Sequence, residues 1–136
     1  MVLGFKEQFV PKILDGSKIH TIRRDEHRRW QKKVRIHFAT GVRTKNYKQF
    51  KVGVCKFNQA IHTNAKERTV YLGLNGGMHK LSEKGIDLLA RNDGFDSTEA
   101  FWEWFNEDFH GVIVHWTDCS SPLTYRTRLW SQNHKP

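Results

Sequence analysis

Apolar positions along this chain switch between a helical and a two-residue rhythm, and the switches mark its elements. Phe9, Val10, Ile13 and Leu14 have helical spacing, and Asp15-Gly16 supplies a stop followed by a tight turn. Pro11 is tolerated in a first helical turn but breaks an interior, so this helix is predicted to be short. Val34, Ile36 and Phe38 then alternate against Arg35, His37 and Thr40, the period of a half-buried strand that Gly41 closes. The segment from Phe50 to Ile61 reads as a further strand, or one long bent strand, with Val52, Val54, Lys56 and Asn58 on one parity and Gly53, Cys55 and Phe57 on the other. Gly53 would mark a bulge or a tight corner there. Thr69 to Leu74 is another strand, ended by Asn75-Gly76-Gly77.

The rhythm turns helical again after Ser82, a plausible N-cap for a helix through Ile86, Leu89 and Ala90 that finishes at Gly94. Asp96 and Glu99 have capping-box-like spacing for a second helix, in which Phe101, Trp104, Phe105 and Phe109 fall on one face as a core stripe. Gly111 would end that helix, and Val112 to Thr117 supplies a last strand. Residues 120–136 form a polar, basic and aromatic tail containing Tyr125, Arg126, Arg128 and Trp130. Several strands with two or three helices in this order predict an α+β domain. No repeat, linker or low-complexity tract divides the 136 residues, so one domain is expected.

Charge changes the picture more than composition does. Lys and Arg number 23 against 14 Asp and Glu, a formal net charge of +9. Arg23, Arg24, Arg28, Arg29, Lys32, Lys33 and Arg35 crowd one stretch, and Arg43, Lys45, Lys48 and Lys51 follow. Such a run is often only a solvated face. Here Trp30, Tyr47 and Phe50 lie among the cations, a pattern suited to phosphates and stacked bases, so RNA is the expected partner. Cys55 and Cys119 fit neither a disulfide framework nor a zinc pattern, and the histidines lack metal-motif spacing, so no metal is expected. The first ten residues carry Lys6 and Glu7 and no long apolar run, which predicts no signal peptide, no membrane span and a cytoplasmic protein.

The richest chemistry lies in Gly16-Ser17-Lys18-Ile19-His20-Thr21-Ile22-Arg23-Arg24, where an amine, a hydroxyl and two guanidiniums follow one glycine turn. Side chains alternate on a strand, so Lys18 and Thr21 act together only if Lys18 is still in the turn. The order ILDGSKIHTIRRD, followed much later by LLARNDGFDSTEAFWEWF, resembles the ASCH (activating signal cointegrator homology) domains of the PUA-like superfamily, over about Phe5 to Thr117. That resemblance implies a small PUA-like β-barrel with flanking helices and one cleft lined by both motifs. Some family members hydrolyse the acetyl amide of N4-acetylcytidine with a lysine, a threonine and an acidic residue, which by motif match are Lys18, Thr21 and Asp93 here. The family's acid is typically glutamate, one methylene longer than this aspartate.

Two readings follow. One is an RNA- or nucleoside-binding domain, with Ser17, His20, Arg23, Arg24, Arg28, Arg29, Trp30, Lys32 and Lys33 contacting base or backbone. The other is an amidohydrolase acting on modified cytidine nucleosides, with ribonuclease activity a weaker alternative. Neither needs a cofactor.

Overall fold

The computed structural model describes residues 1–74 and 76–117. Asn75, Cys119 and the basic-aromatic tail at 120–136 therefore lie outside the described residues. The fold is mixed α+β, with strands β1 (Val2–Gly4), β2 (His20–Arg23), β3 (Arg35–Thr40), β4 (Lys48–Val54), β5 (Phe57–Asn64), β6 (Thr69–Leu74), β7 (Gly77–Lys80) and β8 (Phe109–His115). Helices α1 (Val10–Leu14), α2 (Glu83–Asn92) and α3 (Thr98–Trp104) complete it, with a 3-10 turn at Glu7–Phe9.

The strands make two sheets, β1-β3-β4 and β2-β8-β5-β6-β7, and the described residues do not close either into a barrel. This corrects the segment 50–61, which is two strands in different sheets. Cys55 exchanges backbone bonds with Lys33 and Val34, while the next amide, Lys56 N–H, donates to His115 O at 2.7 Å. Both strands keep the same two-residue period across the step, and no glycine or proline punctuates it, so the break leaves no mark in the pattern. Gly53 is not a bulge: it pairs with Ile36, a Cβ there would stand 2.9 Å from the Phe38 ring, and the register shift lies further along the ladder, where Phe38 pairs with Lys51 and Ala39 with Gln49.

The core lies between these layers. Ile36 and Phe38 from β3, Ile61, Val70, Leu72 and Ile113 from the larger sheet, and Leu89 and Phe101 from the helices are all essentially inaccessible. Ser82 caps α2 as expected, accepting from Gly85 N–H at 3.0 Å. In α3 the cap is Ser97 rather than Asp96, with Ala100 N–H donating to its hydroxyl at 3.1 Å. Asp96 instead receives the Lys12 ammonium.

The α3 aromatic stripe is also corrected. Phe101 and Phe105 are buried, but the helix stops at Trp104, Phe109 opens β8, and Gly111 is a β8 residue rather than a helix end. Trp102 takes the core position, and Trp104 stands 44% exposed. None of the helices among the described residues is long and apolar enough to cross a membrane.

Candidate functional site

The glycine turn and the end of α2 meet to build the site. Asp15 caps α1 at its C-terminus and, through Ser17 N–H at 2.8 Å and the Ser17 hydroxyl at 2.7 Å, folds the turn over Gly16, whose φ is +86°. Lys18 N–H donates to Lys12 O, and Ile19 N–H to Asn92 O, both at 2.9 Å, which ties this turn to the last residue of α2. Lys18 thus precedes β2, the condition for its side chain to share a cavity with that of Thr21. Asp93 is the C-cap of α2, and Gly94 turns the chain away with φ +94°. A Cβ on Gly94 would come within 2.9 Å of Lys18 Cδ and 3.0 Å of Phe9, so the lysine stem lies directly over this glycine.

Lys18 is only 2% exposed. Its ammonium donates to His20 O at 2.9 Å and to Asp93 O, and lies 3.4 Å from the Asp93 carboxylate. It also sits 4.9 Å from the centre of the Phe9 ring. Burial outweighs the opposing pull of Asp93 and, with Arg23 adding to it, lowers the Lys18 pKa from 10.5 to about 8. Behind Asp93, His20 Nδ1 approaches the same carboxylate oxygen at 2.9 Å, and the His20 ring meets His115 edge-on at 5.2 Å. His115 in turn pairs with Gln59 Oε1 at 3.1 Å.

These shifts have definite signs in stability. The unfolded chain takes up the Lys18 proton below about pH 10.5 and the folded chain only below about 8, so stability increases with pH across that window. Measured by urea unfolding, the wild-type advantage over Lys18→Met should grow by up to about 3 kcal/mol between those limits. A flat difference would put the ammonium in water. On the acid side burial holds His20 below the usual imidazole range and His115 down to about 2, so stability falls as pH drops below 6.5 and the unfolded chain gains protons.

Lys18, Thr21, Arg23 and Asp93 line one cavity of about 360 Å³, and Phe5, Phe9, Phe95 and Trp104 form its apolar wall. That volume lies in the range of roughly 300–1,000 Å³ typical of small-molecule sites. Arg23 Nε donates to the Thr21 hydroxyl at 3.2 Å, while its far end donates to Gly4 O and its guanidinium carbon lies 4.9 Å from the Phe5 ring centre. Lys6 Nζ stands 5.5 Å from the Trp104 ring. The cavity thus combines aromatic rings with an amine, a guanidinium, a hydroxyl and a carboxylate.

The remaining sequence-predicted residues divide. His20 is fully buried beneath Asp93 and orients it instead of facing a ligand. Ser17 is exposed and engaged with Asp15 in the turn. Trp30 is only 6% exposed and packs in the core, touching the surface where it borders a second depression; Asp25 holds its N–H and that of Arg29. Arg24, Arg28, Arg29, Lys32 and Lys33 are exposed. Arg24 and Arg29 line that second depression together with Asp25 and Glu26, and it shares Gly4 and Arg23 with the first. Lys32 lies elsewhere, 5.6 Å over the Phe57 ring.

Sequence reasoning missed Phe5 and Trp104 as cavity walls. Trp102 and Trp104, two residues apart on a helix, cannot share a face, and that spacing was the available signal. Comparisons with protein-family models, curated proteins and solved structures give no match for this chain.

Proposed function

We propose that the cavity binds a single pyrimidine base of a nucleoside or of single-stranded RNA, with the adjoining Arg24 and Arg29 depression receiving the phosphates that follow it. The observation that carries this reading is the shared wall: Arg23 borders both hollows, so a base in one and its backbone in the other would touch the same guanidinium. The ASCH resemblance, with its PUA-like barrel, agrees with this placement of the GSKIHTIR motif beside Asp93. A reducing cytoplasm is the proposed compartment, in keeping with the free, buried Cys55 thiol.

Trp104 supplies the stacking face in this reading. Trp104→Ala should weaken binding of a short pyrimidine RNA by about 1–3 kcal/mol. Arg24→Ala with Arg29→Ala should flatten the log–log salt slope by about 0.7 for each phosphate that is no longer neutralised. Fluorescence anisotropy of a dye-labelled RNA reads both. Unchanged affinity in the tryptophan variant, with an unchanged salt slope in the arginine variant, overturns the reading.

A hydrolytic reading of the same cavity is favoured by the lowered Lys18 pKa. A neutral Lys18 amine would take the Thr21 proton, and the Thr21 oxygen would attack the acetyl carbonyl of N4-acetylcytidine. Arg23, already donating to the Thr21 oxygen, would ease its deprotonation. Cytidine would leave with the proton returned to its amine, and water would release acetate from Thr21. As an ammonium, Lys18 has three N–H groups directed at two carbonyls and the Asp93 carboxylate, so only the deprotonated form is free to act. The rate of cytidine formation should therefore climb with pH to about 8 and then level. Chromatography with excess protein decides this: no cytidine above the buffer control leaves binding without turnover.

A further inference from the structure

At the start of β8, away from the His115 end that meets the cavity, three groups converge that neither reading uses. His62 on β5 and His110 on β8 are directly paired across the two strands, and their rings stack at 3.9 Å with planes 13° apart. Asp108, just before β8, reaches both: its Oδ1 is 2.7 Å from His62 Nε2 and its Oδ2 is 3.6 Å from His110 Nε2. One donor atom from each residue lies within 4.8 Å of the other two. Tyr71, the β6 partner of His62, stacks beside that ring at 6.3 Å.

We propose that His62, Asp108 and His110 form a surface site for a divalent ion of the zinc class. Two imidazole nitrogens and one carboxylate are the donor set of an open tetrahedral zinc site, with water in the fourth position. Tetrahedral zinc at about 2.0–2.1 Å from its ligands places them roughly 3.3–3.5 Å apart, within small rotamer adjustments of this cluster. The imidazoles favour zinc, copper or nickel over magnesium and calcium, which take all-oxygen sites. His110 and Asp108 are 71% and 57% exposed at their side chains, which leaves an entry path from solvent. The sequence conceals the site because β5–β8 pairing, and no local motif, brings its histidines together. It is independent of the Lys18 cavity, so failure of either reading leaves the other standing.

The test uses the full chain without a histidine tag, stripped of metal. Titration with Zn²⁺ by calorimetry should give one saturable equivalent, with Mg²⁺ giving none. In imidazole-detected NMR, zinc should move the His62 and His110 signals and leave those of the buried His20 and His115 in place. His110→Ala and Asp108→Asn should each weaken zinc binding by about tenfold or more. Zinc should raise the melting temperature of wild type but not of the His62→Ala/His110→Ala double variant. Because Asp108 and His110 are exposed and His62 is half-buried, the variants should fold, and unchanged Tm without zinc verifies it. Absence of saturable binding, wild-type affinity in the double variant, or zinc shifts confined to other histidines overturns the proposal.

Discussion

Replacing Asp93 by Ala should destabilise the fold by about 3–5 kcal/mol, because it leaves the buried Lys18 ammonium without its compensating charge. Lys18→Ala should lose a comparable amount for the mirror-image reason, an Asp93 carboxylate buried beside a His20 that burial keeps neutral. Breaking one side of such a pair is worse than removing both. A Lys18→Met/Asp93→Leu double variant should therefore be markedly more stable than the sum of its single losses implies, and it should lose the rise of stability with alkaline pH. Urea unfolding of the four proteins measures the coupling. Strict additivity would mean that the two charges do not sense one another across their 3.4 Å separation.

Phe38→Ala should be equally damaging, at about 3–5 kcal/mol. Its ring is fully buried, stacked on Phe5 at 5.7 Å and set edge-on to Trp116 at 4.9 Å, with Gly53 so close beneath that the sheet has little freedom to collapse into the gap. The effect should also reach the cavity. Phe5 is both the stacking partner of Phe38 and the ring against which Arg23 lies, so the variant should lose ligand affinity as well as stability. Conversely, an unfolding midpoint near that of wild type would show that the ring is not a packed element of the core.

What could be read in the chain before folding follows a physical divide. Local rules held: Pro11 kept α1 short, Ser82 capped α2, Gly16 and Gly94 took left-handed conformations, and Lys18 stayed in the turn ahead of Thr21. These depend on a few neighbouring residues. The failures each depended on a remote partner. Trp30 looked like a surface aromatic among cations, yet Asp25 and the core claim it; nothing nearby in sequence distinguishes the two fates. The step at Cys55–Lys56 was invisible because both sheets impose the same alternation on either side of it. Of the candidate site, the polar half was legible from the motif and Asp93, whereas the aromatic wall of Phe5 and Trp104 is set by tertiary packing.

Among the described residues β2 is an edge strand, hydrogen-bonded to β8, which pairs His20 with His115 and Arg23 with Val112. These partners lie roughly ninety residues apart, the kind of non-local pairing that slows folding. During synthesis the segment carrying Thr21 would leave the ribosome early and wait, unpaired, until almost the whole of the described chain had followed it. The cavity is then among the last features to assemble, and a chain shortened before Phe109 would carry every polar residue of the site without the strand that aligns them.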